Sequence, residues 1–325
     1  MGEALEIVKV LVSPTMKLLD MVGGAIGTVY EPRHKRKMAD ATAYEINAIG
    51  EAMRNTGDMP IVYNQDGVAI NSEDFNRLMQ RAGTRLVLQE TIKQHNIESV
   101  VDNAYEILEK EEVCSEEPVE QGWINRFFDS VADVSDEDLQ KLWGRVLAGE
   151  IKQPKSYSLR ALETLKNLSK HEAELFQNIA PYIISTNDLS FLSANKQIKN
   201  KFNLLDGDYM QLAFCGLLQM IPFTEINIFL LPNESRRTFL TDTRLLSITN
   251  NTLSEQNLKI KEIYLLTSAG KELFNLLVCK PNNEYFEEWV KLIHKSTPKL
   301  LLKVHEKAEN KKKEYKAEPL MTLGE

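Results

Sequence analysis

The chain has 325 residues, 43% of them hydrophobic and 26% charged, with a formal net charge of −8. That size and balance suit about two or three modest globular domains and argue against a surface that is basic throughout, leaving room only for a local basic face. Cys114, Cys215 and Cys279 are odd in number and far apart, which fits a reducing compartment and argues against a disulfide scaffold or a cysteine zinc site. The five histidines are scattered without an H-x-x-x-H pair, so no metal site or cofactor is expected. The N-terminus lacks a basic region followed by a cleavage site. No stretch approaches the ~18 uncharged apolar residues of a membrane helix. A cytoplasmic protein is expected.

Residues 1–56 read as N-terminal amphipathic helices. Leu5, Val8, Val12, Met16, Leu19 and Val22 mark apolar turns on either side of Pro14. A helix laid on the body or on a second copy, insertion at a membrane surface, and a flexible tail all fit residues 4–30. Arg33, His34, Lys35, Arg36 and Lys37 form the strongest basic cluster. Such a run contacts phosphates in some proteins and is a solvated helix face in more. Within 57–121, residues 61–71 suggest a strand and turn at Asp66-Gly67. A long helix opened by Ser72-Glu73-Asp74 then carries Leu78, Leu86, Leu88 and Ile92 through to Leu108, with a break expected near Asn96. The glutamates from 106 to 120 surround Pro118 and read as a helix end and a solvated linker, where a domain boundary is placed.

Residues 122–184 are the most legible stretch. Trp123, Phe127, Phe128 and Val131 share one helical face. After a short link, Ser135 precedes Asp136, Glu137 and Asp138 in a capping pattern. Leu139, Leu142, Trp143, Val146 and Leu147 follow as a buried stripe, and Gly149 is expected to end the helix. The aromatic residues could form a platform for stacking bases, but their helical spacing favours a hydrophobic core. Two further helices are expected, one capped by Ser158 and one opened by a Ser169–Glu172 capping box. Four helices in series suggest a bundle.

The stretch Trp123 to Asp129 and Val134 to Ile151 resembles a family of uncharacterised bacterial proteins marked by W-I-x-R-F-F-D before V-S-D-E-D-L-Q-x-L-W-G-R-V-L-A-G-E-I. A looser form of it is similar to alpha-type abortive-infection proteins. The resemblance implies a bacterial protein, with a role in phage defence as one expectation, and it brings no catalytic residues.

From 185 to 307 the pattern changes. Residues 227–232, 237–250 and 261–267 are rich in branched and aromatic residues and read as strands. Gly216-Leu217-Leu218 and the run Tyr264 to Leu273 resemble a helix end and a strand-to-helix step of bacterial winged-helix domains, which implies a DNA-reading helix and a wing. The candidate reading helix, Tyr209 to Gln219, lacks Lys and Arg. Arg236, Arg237 and Arg244 could serve a wing. A last amphipathic helix or pair is expected over 284–307, and residues 308–325 read as a disordered charged tail.

The expected fold is therefore mainly α, a helical bundle followed by a winged-helix-like α+β domain. No phosphate loop, nucleophile elbow or kinase signature occurs. The expected function is a non-enzymatic interaction protein, a sensor or adaptor with a protein partner or a second copy of itself. A nucleic-acid-binding regulator using Arg33, Lys35, Arg36, Lys37, Arg236, Arg237 and Arg244 is the alternative, and a membrane-surface effector using residues 4–30 is the third.

Overall fold

A computed structural model describes residues 13–26, 72–220, 223–233, 236–308 and 314–324. The basic cluster at 33–37 and the strand-turn expected at 61–71 lie outside the described residues. The chain divides into two compact units, Met1–Tyr157 and Ser158–Glu325.

In the first unit, helices α1 (Pro14–Ile26), α2 (Ser72–Leu108), α3 (Gln121–Val131) and α4 (Glu137–Lys152) surround an aromatic core. Trp123 stacks on Phe127 at 5.1 Å, and Phe127 meets Trp143 edge-on at 5.5 Å. All three are buried, as is Phe128; Leu139 and Leu142 are half-buried at the margin of the α4 stripe. The buried face is centred on Trp143, Leu147 and Ile151. Gly144 lets α4 approach α2, because a Cβ there would lie 2.5 Å from the Cβ of Asn103. On α1, Leu18 and Val22 are fully buried.

Three local expectations need correction. The cap of α4 is Asp136, not Ser135: its carboxylate accepts from the amides of Asp138 and Leu139 at 3.0 and 3.1 Å. A full negative charge suits the positive end of the helix dipole better than a hydroxyl one residue earlier. Gly149 does not end the helix, which runs on to Lys152; instead a side chain there would strike the Tyr157 ring at 2.7 Å. The long helix is unbroken at Asn96. That side chain turns outward from its own helix, donating to the carbonyl of Ala132 at 2.8 Å and accepting from Gln140 at 3.3 Å.

The closing residues of the signature fix the loop that follows. Glu150 is 2% exposed. Its carboxylate accepts from the backbone amides of Lys155 and Tyr157 at 2.5 and 3.0 Å, and Lys155 has a φ of 69°. The Trp123 indole donates to the carbonyl of Tyr157 at 2.8 Å. The acidic stretch after α2 is tied down by lysines. Lys17 donates to the carbonyls of Ser115, Glu117 and Ile151; Lys152 pairs with Glu111 and Lys155 with Glu117.

The second unit opens with α5 (Leu159–Asn167), capped by Ser158, and α6 (Lys170–Ile179), opened by the Ser169–Glu172 capping box. The Glu172 carboxyl sits below the usual carboxylate range because the Ser169 amide, and next its hydroxyl, hydrogen-bond the charged form. A carboxyl depressed in the fold contributes stability that is present above its ordinary pKa and lost as the pH falls through the lowered value. Ser169→Ala should therefore cost about 1 kcal/mol near neutral pH and less once Glu172 is protonated, a narrowing that urea midpoints measured across the acid range will show.

The fold class expected from the sequence is overturned. Helix makes up about 52% of the described residues and strand about 18%, and the described strands form one eight-stranded antiparallel sheet, so the fold is α+β. The helices of 122–184 do not form one bundle: α3 and α4 belong to the first unit and α5 and α6 to the second. The sheet comprises β1 (Ile184–Ser185), β2 (Ser190–Ser193), β3 (Phe223–Leu230), β4 (Arg236–Leu240), β5 (Arg244–Thr249), β6 (Gln256–Leu265), β7 (Leu301–Glu306) and β8 (Met321–Leu323), in the order β3-β6-β2-β1-β4-β5-β7-β8.

The register explains why no small wing forms. Leu230 lies opposite Gln256, and Arg236 lies opposite Thr249. Strands β3 and β4 are thus one arm, and β5 and β6 the other, of one long antiparallel hairpin, interrupted midway. Buried Asn250 serves the interruption, donating to the carbonyls of Leu230 and Ser254. The short β1–β2 hairpin joins the base of the long one, through β2 on β6, to its tip, through β1 on β4. The long ribbon therefore doubles back on itself. Helix α7 (Lys196–Phe202) and helix α8 (Asp206–Phe214) follow β2, and α9 (Ser268–Phe274) follows β6.

Helix α10 (Asn283–Ser296) fills the core with Trp289, whose ring lies 5.5 Å from Phe191 and 5.2 Å from Phe239. Tyr209 donates its hydroxyl to the carbonyl of Ser193, while Tyr285 accepts from the Ser193 amide; burial pushes both phenols up. Leu301 and Leu302, expected in a helix, lie on β7 because the chain breaks at Thr297 and then pairs with β5. The expected tail is in part a strand: β8 pairs with β7, Leu302 opposite Leu323.

Candidate interaction surfaces

Helix α2 has two different halves. From Asn96 onward its inward residues, Ser99, Val100, Val101, Ala104 and Leu108, are buried. Before that point Leu78, Met79, Leu86, Leu88 and Ile92 are 40–58% exposed. At helical spacing these five fall within roughly half the circumference, along about 21 Å of axis. Apolar surface gathered in this way marks a contact surface more often than it occurs by chance. Arg77, Arg81 and Arg85 stand at four-residue intervals on the same stretch, all exposed.

A groove of about 600 Å³ lies between the second half of α2 and the start of α4. His95, Asp102, Glu106, Glu137 and Lys141 line it. Ser99 lies 3.2 Å from Nδ1 of His95. The lining carries both signs of charge and suits a polar, hydrogen-bonding ligand. Among the described residues, no cluster of three or more His, Cys, Asp or Glu could hold a metal ion, and no helix is long and apolar enough to cross a membrane.

The candidate anion contacts are not brought together. Arg33, Lys35, Arg36 and Lys37 lie outside the described residues. Arg236 begins β4. Arg237 is exposed on the same strand and borders a second cavity, of about 460 Å³. Arg244 is committed elsewhere, its Nη1 2.8 Å from Oε1 of Glu306 across the β5–β7 pair. The Gly216-Leu217-Leu218 and Thr267-to-Gly270 motifs do meet, since Thr267 donates to the carbonyls of Gly216 and Leu217. They meet inside the eight-stranded domain, where the candidate reading helix α8 buries Tyr209 and Leu212. The arginine series on α2 was missed by a reading that followed only the apolar period of the helix. Its spacing at 77, 81 and 85 is visible in the sequence.

The described residues define an α+β protein with a helical first unit and a second unit built on an antiparallel sheet. The chain belongs to the family described as Protein of unknown function (DUF2806), which matches residues 80–290. No curated protein and no solved structure matches the chain.

Proposed function

We propose that this is a non-enzymatic interaction protein that assembles with a second copy of itself through the first half of α2. The supporting observation is the exposed apolar arc of Leu78, Met79, Leu86, Leu88 and Ile92 on a helix whose other half is buried in its own unit. Charge complementarity favours a second copy. The arc carries Arg77, Arg81 and Arg85, and the same unit displays Glu109, Glu112 and Glu116, all exposed, so two copies offer each other apolar contact and opposite charge. A sensor or adaptor role in phage defence rests on the resemblance of residues 122–151 to abortive-infection proteins.

Light scattering on the eluting full-length chain over a concentration series tests this. A mass at or above twice 37.1 kDa, falling to the monomer in the Leu86→Glu/Ile92→Glu variant with its circular dichroism unchanged, is expected. A wild-type monomer at every concentration, or a dimer indifferent to the substitutions, overturns the reading. Exposed Arg81 and Arg85 favour one second reading, contact with nucleic acid. It requires binding of labelled duplex DNA or single-stranded RNA that weakens steeply with salt and is lost in Arg81→Glu/Arg85→Glu.

A further inference from the structure

The cavity beside Arg237 has an unusual border. The four successive residues Ile226, Asn227, Ile228 and Phe229 line it, as do Arg237, Thr238 and Phe239. Successive residues of a strand point to opposite faces of the sheet. A cavity that touches four in a row therefore runs along the edge of a strand. Both edges concerned are open among the described residues. β3 is the terminal strand of the sheet, and β4 meets β1 only at Leu240, opposite Ser185. The turn Thr186–Leu189 closes one side of the cavity. Two open strand edges thus flank a single cavity, and its walls include the buried side chains of Phe191, Ile260 and Ile263.

We propose that this slot takes an extended segment of a partner protein, with alternating apolar side chains and an acidic side chain placed at Arg237. The backbone of β3 supplies amide and carbonyl groups that an added strand satisfies, and Ile226, Ile228 and Phe239 provide the apolar lining that alternate side chains enter. Phe229, 60% exposed, forms the lip. Charge selects an acidic side chain for one position of the segment. Arg237 is exposed and has no carboxylate partner among the described residues, so it attracts an acid at its end of the slot. A long apolar edge left open invites pairing with another chain, and the cavity gives that pairing a side-chain code. The surface lies in the second unit and does not depend on self-association through α2.

The test is to pan a phage-displayed library of random linear peptides against the immobilised full-length chain and to measure the best enriched peptide by fluorescence anisotropy. Enriched sequences should alternate apolar residues with at least one Asp or Glu. Arg237→Glu should weaken binding about tenfold or more, Phe229→Asp should weaken it as well, and N-methylation of alternate peptide amides should abolish it. Both substituted residues are exposed, so the fold, checked by circular dichroism, is retained. Leu86→Glu/Ile92→Glu should bind the peptide as wild type does, which separates this surface from the helical one. No enrichment over a blank surface overturns the proposal, as does a peptide indifferent to Arg237→Glu, Phe229→Asp and N-methylation.

Discussion

Replacing Trp143 by alanine will destabilise the first unit by about 3–5 kcal/mol. The indole is 1% exposed and stands edge-on to Phe127, which itself stacks on Trp123. Removing it opens a cavity against two aromatic rings. The neighbouring chain cannot easily collapse into that space. Gly144 already holds α4 at its closest approach to α2, and Gly149 is closed by the Tyr157 ring. The cost therefore combines lost transfer energy with a cavity that persists. Urea denaturation followed by circular dichroism measures it, with Leu86→Ala as the matched control. Leu86 is 52% exposed, and its truncation should change stability by less than about 0.5 kcal/mol in the dilute monomer. A loss well under 1 kcal/mol for Trp143→Ala would mean that the aromatic cluster does not hold this unit together.

The contrast between these two positions shows what the sequence could and could not reveal. Trp143 and Leu86 both sit on apolar helical stripes, and periodicity assigns both to a core. Periodicity reports which residues share a face, and says nothing of whether that face has a neighbour. In the stretch 122–152 a short link forces two apolar stripes together, so burial could be inferred from the chain alone. Among the described residues the first half of α2 has no such adjacent partner, and its exposure emerges only in three dimensions. The same limit applies to the sheet. The branched runs at 227–232, 237–250 and 261–267 announced strands, but the register that makes β3, β4, β5 and β6 one long ribbon depends on pairings set by tertiary structure. The shortest strands were the least visible. Ile184–Ser185 and Met321–Leu323 have too few residues to display a period and exist because β4 and β7 offer them an edge.

Charge was legible in amount but not in placement. The sequence drew attention to the contiguous run at 33–37, while the arginines of α2 are spread over nine positions and become a series only when wound into a helix. Conversely, Arg244 looked available and is held by Glu306, itself shared with Lys316. The glutamates after α2 read as a solvated linker, and several are indeed exposed. Lysines distant in sequence nevertheless fasten that segment to the end of α4, a tie that no local pattern encodes.

Gly270→Ala should be the most damaging single-methyl change in the second unit, with a cost of about 3 kcal/mol or more. A Cβ at this position would lie 2.1 Å from the carbonyl oxygen of Leu217 and 2.9 Å from its carbonyl carbon. Both are backbone atoms, so no rotamer change relieves the contact, and either α9 or the bend at 216–218 must move. The bend is itself constrained, because Gly216 has a φ of +82°. Any shift also strains the junction that the bend and α9 share. Thr267 donates its amide to the Leu217 carbonyl at 3.0 Å and its hydroxyl to that of Gly216 at 2.6 Å. The same hydroxyl caps α9 by accepting from the amide of Gly270 at 2.9 Å. The methyl group thus forces apart a joint held by three hydrogen bonds, each worth on the order of 1 kcal/mol. Gly207→Ala is the control: no atom lies within 4 Å of a Cβ there, and exchanging glycine for alanine within a helix should leave stability unchanged or raise it by about 0.5–1 kcal/mol. Thermal and urea unfolding of the two variants side by side decide the matter. If Gly270→Ala unfolds together with wild type, the close approach of α9 to the 216–218 bend is not what holds the helix on the sheet.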